Sequence, residues 1–505
     1  GDAWVNEGIL HESEARTNRM RSSGDLTGSG WANNSMTVGA VTTGSPFGTY
    51  QTVSPSSTIA GASSRYQIGL PLSGGTTYVG WALVKYSAGN GWFVIDLYDT
   101  GKGSERSWFD LQNGVVGTKD PLIIDHGMIN YGDGWWLCWA SSASTNVSGG
   151  LSLEVPTGDG VLASNSGDVV LFAGSQLEAG ATPSSYIPTT SSTVTRAAET
   201  LTVPAANLPW PTAVETTGTE LVTNGTFDSD SGWTLNNSVI SNGVVSANNG
   251  TRFLAQDAGL VTGTSYKVTF DYTQGNTHSS GRIRVNTNAV NGAGTEHVSS
   301  TFYHMGSSGS LTFIIVAEGP YIAIEAAYAP FSGTIDNVSV KEINPLALSI
   351  QMDGKMTYAD TGSTTEVLPY WWRLNSTNFI YSNISTLTSR AGQPKFWQRQ
   401  TTSGQDVVDG ANAAYTPDTN VPFNIASRHG YTFINGAHEG TLLTANTTPT
   451  ILPDLSATDL NLGYTFMGTI GEFRMWSDDL GDVGITEATL PSTEPSLSLT
   501  FDGSE

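Results

Sequence analysis

Apolar and polar residues alternate along many short stretches of this chain. YKVTFDYT (266–273), GRIRVNTN (281–288), SLTFIIVA (310–317) and YIAIEAAY (321–328) alternate, or run apolar for one strand's length, between Gly, Asn and Ser turns. A period of two sends successive side chains to opposite faces of a strand. No stretch keeps a helical period over four turns. Short strands at this spacing predict an all-β chain of tandem antiparallel jelly-roll β-sandwiches, with facing sheets and loops gathered at the ends.

Two distant stretches read almost alike. SSGDLTGSGWANNSMTV (22–38) and TNGTFDSDSGWTLNNSVI (223–240) share a Gly turn, a Gly-Trp pair, an Asn-Asn-Ser step and a following apolar strand. Each is followed, after a module's length, by a similar closing strand, VVLFAGSQLEAG (169–180) and SGTIDNVSVKEI (332–343). A third closing strand, FMGTIGEFRMWSDD (466–479), ends a segment that begins at LALSIQMDG, and the C-terminal LSLTFDGSE reads as one more strand. The expected modules are 1–198, 219–343 and 344–505, with the Pro- and Ala-bearing stretch 199–218 as a linker.

Composition narrows the function classes. The 505 residues carry 58 Gly and only 13% charged residues, the balance of strands punctuated by turns. A formal charge of −24 repels phosphate-rich partners, so nucleic acid is not expected as a ligand. No apolar run is long enough to cross a bilayer as a helix, and no membrane insertion is expected. The chain begins without Met, and missing upstream sequence is expected. With Cys138 alone, no intrachain disulfide forms, and in WWLCWA this residue reads as a small core side chain.

Four motifs then suggest a family. GILHESEARTNRM (8–20), GSGWANNSMTV, DGWWLCWA and GSQLEAGATPSSYIPTTSSTVTRAAE (174–199) resemble, in that order, a module of bacteriophage tail-fibre and virion proteins built on a concanavalin-like or carbohydrate-binding sandwich. ELVTNGTFDSDSGWT with SGTIDNVSVKEI is similar to the opening and closing strands of bacterial carbohydrate-binding modules. The last segment, with FINGAHEGTLL and FMGTIGEFRMWSDDL, looks like a laminin-G or concanavalin-like lectin sandwich. These resemblances imply a virion surface or tail fibre displayed as an oligomer, a trimer by expectation, whose partners are host-surface glycan and other virion proteins.

Catalytic signals are sparse. The seven His residues show no HExxH spacing, and there is no G-x-S-x-G elbow or Walker loop. No carboxylate pair stands out for glycoside hydrolysis, so an enzyme is not expected. The 14 Trp are the stronger clue, because sugar rings stack their C–H faces on aromatic rings while polar side chains read the hydroxyls.

Several places offer this mixture. In DGWWLCWA, alternation sets Trp135, Leu137 and Trp139 on one face and Trp136 on the other, and Trp136 serves either glycan or core. In the middle module Tyr272, Gln274, Asn276 and His278, with Arg282 and Arg284, make a polar-aromatic face if their strands form a hairpin, and otherwise an ordinary wet sheet face. Trp372, Arg373, Trp397 and Arg399 in the third module suit a glycan or a subunit interface. The carbohydrate-binding-module resemblance also implies a structural Ca²⁺ held by Asp228 and Asp336, although Asp stands at 228 where that family commonly has Glu.

The reading that follows is a virion fibre protein that binds host-surface glycan without cleaving it. The alternatives are a purely structural decoration, shaft or connector protein, and then a polysaccharide-degrading enzyme. The stretch after strand 169–180 reads as an extended strap, steered by Pro183 and Pro188 and anchored by Tyr186 and Ile187, with Tyr186 expected to be largely buried.

Overall fold

Strands with one apolar and one polar face must pair their apolar faces, and this chain does so in three antiparallel β-sandwiches. The structure, a computed structural model, describes residues 8–491 except 212–214, 251, 275–281, 288–296, 299–307, 328–330, 359–365, 401–404, 448 and 450–451. Among the described residues the α-helix is confined to two turns, Gly481–Ala488.

In the first sandwich one sheet runs, in spatial order, Val115–Lys119, Gly103–Asp110, Trp92–Asp99, Ser148–Glu154, Ser64–Pro71 and Ala32–Asn34. Its partner runs Asp125–Asn130, Trp135–Ala143, Thr77–Ala88, Val169–Ala179, Gly48–Pro55 and Met36–Val38, with Thr42–Ser45 beside Gly48–Pro55. Phe93, Ile95 and Leu97 from the first sheet meet Ala82, Val84, Cys138 and Phe172 from the second. Cys138 is fully buried there, as its sequence context suggests.

The middle sandwich packs a sheet centred on Phe331–Asn344 and Ser265–Gln274 against one centred on Tyr321–Ala327. Tyr266, Val268, Phe270, Ile322 and Ile324 form part of its core. In the third, one sheet is Ile9–Glu12, Met467–Trp476, Ala347–Tyr358, Asp418–Gly430, Ile434–His438 and Thr441–Leu442. The facing sheet is Leu201–Val203, Leu460–Leu462, Val367–Asn375, Asn378–Ile384, Pro394–Gln400 and Asp406–Asp409.

Two memberships differ from the module boundaries expected from sequence. Ile9–Glu12, expected in the first module, pairs antiparallel with Met467–Trp476, Ile9 opposite Ile470. Leu201–Val203, expected in a linker, pairs with Leu460–Leu462. The reason is edge and core coverage: Leu201, Val203, Leu208 and Trp210 pack on the third core, and Trp210 meets Trp372 edge-on at 5.2 Å. In chain order the middle sandwich is therefore an insertion between strands of the third. The expected C-terminal strand 497–505 lies outside the described residues.

The internal repeat is a shared loop. Trp31 Nε1 donates to the Ser22 carbonyl at 3.0 Å, and Trp233 Nε1 donates to the Asn224 carbonyl at 3.0 Å. Ser22 and Asn224 both adopt left-handed backbone, as do Ser35 and Asn237 further along. Gln67 spans the first loop, accepting from the Arg21 amide and donating to its carbonyl, and Gln256 does the same to Thr223 in the second. The repeated residues thus encode one Trp-pinned turn, used twice.

The strap from 182 to 196 lies along its own sandwich and is tied to residues 12–23. Ile187 N donates to Gln176 Oε1 and its carbonyl accepts from Asn18 Nδ2, while Thr189 bonds Ser23 and Met20. Ser184 caps the buried Glu178, and Ser185 and Arg196 bind Glu12. Burial, as the largest influence, pushes the Glu178 carboxyl up despite these partners. The stretches 8–20 and 174–199 are thus two halves of one clasp.

Candidate functional site

The second sheet of the third sandwich carries the most developed aromatic surface outside a core. Alternation along Val367–Asn375 sends Tyr370 and Trp372 inward, both fully buried, and Trp371 and Arg373 outward. Tyr370 shares a hydrogen bond with Ser427 inside the sandwich, and Trp372 Nε1 donates to the Thr458 carbonyl. These inward anchors fix the register of the strand. They thereby fix which residues look out.

One register row crosses the whole outer face. Thr202, Asn461, Trp371, Tyr381, Trp397 and Val407 lie opposite one another in turn across six strands. The aromatic members overlap. Trp371 and Tyr381 stand 4.7 Å apart, Tyr381 and Trp397 are parallel at 5.6 Å, and Tyr464 lies parallel to Trp371 at 5.6 Å. At these separations the two parallel pairs are offset, and the Trp371–Tyr381 pair is tilted by 43°, so each ring covers only part of the next. Trp371, Tyr381 and Trp397 are half-buried, while Tyr464 is 56% exposed.

Polar groups flank the row on both sides. The adjacent row is Arg373, Phe379, Arg399, with the Arg373 guanidinium 5.3 Å from the Trp371 ring centre and that of Arg399 5.9 Å from Phe379. On the other side Asn383 faces Lys395, and Lys395 faces Asp409, to which it is ion-paired at 3.2 Å. Trp397 Nε1 donates to Asn383 Oδ1 at 2.6 Å. Burial, then the neighbouring Glu366 carboxylate, raises the Tyr381 phenol, so this hydroxyl stays protonated and able to donate. Burial also raises Glu366 itself.

The sequence-predicted residues of this module divide. Arg373, Trp397 and Arg399 belong to the face, and Trp372 does not. Trp371, Tyr381 and Tyr464 were missed. Two adjacent Trp cannot both face the same way, and a parity count from the buried Val367 would have sent Trp371 inward; the register shift between Val367 and Tyr370 reverses that assignment. Tyr464 arrives from a loop 93 residues away from Trp371 in sequence, and no local signal announces it.

The first sandwich also has a Trp face, and it is closed. Trp135, Leu137 and Trp139 do share a face, together with Val79, Trp81 and Leu83, on the side of the sheet away from the sandwich core. Phe47, Tyr50 and Tyr186 roof it: Phe47 stacks on Tyr186 at 4.5 Å, Tyr186 meets Trp81 edge-on at 5.7 Å, and Tyr50 meets Trp135 at 5.9 Å. Gly174 permits the approach, since a Cβ there would stand 3.1 Å from both Phe47 and Tyr186. Tyr186 has most of its surface covered, as expected, and its hydroxyl bonds Ser23 at 2.9 Å. Trp136 turns inward and packs half-buried on the sandwich core beside Gly114, which removes it from a glycan face.

The middle-module site does not assemble as the sequence reading expects. Ser265–Gln274 and Arg282–Asn286 lie in opposite sheets, so they form no hairpin. Tyr272 is buried in the apolar core, and Arg284 is tied to Glu325 at 2.8 Å. Gln274 and Arg282 have strand positions only, their side chains lying outside the described residues, as do Asn276 and His278 entirely.

Asp228 is exposed and accepts from Thr226 at 2.7 Å, while Asp336 accepts from the Asn337 amide and lies opposite Asp271. Among the described residues no group of three His, Cys, Asp or Glu gathers around a common point. Two locally capped carboxylates do not fit the six to eight oxygen ligands that Ca²⁺ takes.

Other titratable clusters are structural. Arg106 holds Asp96 at 3.2 Å and Glu154 at 3.2 Å, all on the first sandwich, and burial followed by the Glu154 charge pushes Asp96 up to about 7. Ser107 touches His126, but Ser107 is fully buried between the sheets, where no substrate reaches it.

No family model matches the chain, and no curated protein does. Among solved structures it is similar to the N-terminal tandem CBM22-1–CBM22-2 domain of Paenibacillus barcinonensis Xyn10C, at 11% identity over 66% of this chain and 99% of that one. The TM-score of 0.21 is too low for this likeness to carry an argument about fold or ligand. The sandwich architecture rests on the strand pairing described above.

Proposed function

We infer that this chain is a non-catalytic glycan-binding protein of a virion surface, a tail fibre or surface fibre, and that the third sandwich makes the sugar contact. One observation carries the binding reading: the half-open row of Trp371, Tyr381 and Trp397, extended by Tyr464 and edged by Arg373 and Arg399. Partly covered rings offer apolar faces to sugar C–H groups, and the Tyr381 phenol and the flanking guanidinium groups can read hydroxyls. The virion assignment rests on the four motifs of residues 8–199, of which the first and last here build a clasp, the second a Trp-pinned turn and the third a closed Trp face. Trimeric display would multiply weak contacts through effective concentration.

The direct test is a polysaccharide array, including material extracted from bacterial envelopes, probed with the full chain and with Trp371→Ala. Binding by the parent that falls at least roughly tenfold in the variant, with unchanged melting temperature, is the expected result. Equal binding by both would move the contact elsewhere.

A second reading, a structural connector, is favoured by the sealing of the first Trp face and by the stitching of Ile9–Glu12 and Leu201–Val203 into the third sandwich. It predicts an assembled oligomer in which Tyr464 is inaccessible, which chemical labelling of tyrosines would read.

A further inference from the structure

The cationic groups of this face are concentrated out of proportion to the chain. Lys and Arg total 21 against 45 Asp and Glu, yet Arg373 on Val367–Asn375 and both Lys395 and Arg399 on Pro394–Gln400 share one face, with the single strand Asn378–Ile384 between them. Lys395 is neutralised by Asp409. Arg373 is exposed and makes no ion pair among the described residues, its guanidinium resting instead on Trp371.

Register fixes the spacing of the two guanidinium groups. Arg373 and Arg399 lie opposite Phe379 from either side, so they stand two strand widths apart, about 10 Å at the backbone. The line joining them runs parallel to the Trp371–Tyr381–Trp397 row. A polymer lying along the aromatic row therefore passes both charges with the same edge.

Resting on the glycan-binding reading above, we propose that the occupant is an acidic polysaccharide whose rings lie on the Tyr464–Trp371–Tyr381–Trp397 row and whose carboxylates meet Arg373 and Arg399. A guanidinium matches a carboxylate in a two-bonded planar fork, a geometry that a neutral sugar cannot supply. Stacking on an aromatic ring holds Arg373 in place, so less side-chain freedom is lost on binding. The remainder of the strongly acidic surface repels polyanions, which restricts binding to this face.

The experiment measures binding of the full chain to alginate, polygalacturonate and hyaluronate, to the carboxyl-reduced form of each, and to poly-L-glutamate. Retention of at least one acidic polysaccharide, with loss of roughly tenfold or more on carboxyl reduction and again in the Arg373→Gln/Arg399→Gln double variant, is the expected result. Thermal melting of the variant checks that it folds. Equal binding of acidic and carboxyl-reduced forms overturns the acidic assignment and leaves the glycan reading standing. Capture of poly-L-glutamate as tightly as any polysaccharide shows that charge alone is read, and overturns it too. Failure of every probe to bind, while envelope polysaccharide on the array does bind through Trp371, overturns the acidic assignment only; failure on the array as well removes both.

Discussion

Paired tryptophans mark both outer sandwiches, Trp135–Trp136 in the first and Trp371–Trp372 in the third, and the chain treats them differently. In each pair alternation sends one ring into the sandwich and the other out. In the first sandwich the outward ring is covered, Trp135 being 3% exposed beneath Tyr50, with the strap and Phe47 closing the rest of the face. In the third the outward ring stays half-open beside Tyr381 and Tyr464. An aromatic-rich strand therefore has no fixed meaning. Whether another segment of the chain lies over it decides between core and binding surface.

The comparison breaks most severely at the inward ring of the third pair. Trp372→Ala should cost about 3–5 kcal/mol, as for a large buried aromatic, whereas Trp371→Ala should cost under about 1 kcal/mol and show mainly in binding. Denaturant unfolding of both variants checks this, and comparable losses would mean that the outer row is itself core.

Opening the sealed face comes next. Tyr186→Ala removes a ring stacked on Phe47 and a hydrogen bond to Ser23, and should cost roughly 1–3 kcal/mol while shifting tryptophan emission to the red as Trp81 meets water. An unshifted spectrum would show that other residues roof Trp81. A similar loss, about 1–2 kcal/mol, is expected for Trp210→Ala, because this former linker residue packs on Trp372. A flexible linker would show no change.

The smallest effect separates the two sandwiches by pH. Asp96 in the first has its pKa raised to about 7, so the folded state holds its proton more tightly than the unfolded state does. Its contribution is greatest at low pH and is lost as pH rises from about 4 to about 7. His429 in the third is fully buried, and burial holds its pKa down to about 3. The unfolded state there binds the extra proton, so this contribution is present above about 6.5 and lost as pH falls toward about 3. Melting curves at pH 5 and pH 7.5 should show Asp96→Asn flattening one trend and His429→Gln the other. Identical pH profiles in both variants would contradict these environments.

Legibility in the sequence followed the range of the interaction. The Trp-pinned turn was visible twice because all its determinants lie within one short stretch apart from a single Gln, so like residues gave like hydrogen bonds at Trp31 and Trp233. The strap was readable from Pro183 and Pro188 and from its anchor Ile187, which is buried. The hairpin expected from Tyr272 to Arg284 was not real, because neighbours in sequence can enter opposite sheets of a sandwich. Trp372 was taken for a surface residue for a related reason: alternation gives two classes of side chain but not which class faces the core.

By itself the sequence determined the all-β class, the alternation within each strand, the repeated turn and the aromatic-plus-arginine content of 369–399. These are set by the backbone period and by local hydrogen bonding. Tertiary structure alone decided that Ile9–Glu12 and Leu201–Val203 complete the third sandwich, that Tyr464 joins Trp371, and that one Trp face is roofed while the other stays open. Each depends on segments far apart in the chain competing to cover apolar edges and faces, and that competition is resolved only when the sheets pack.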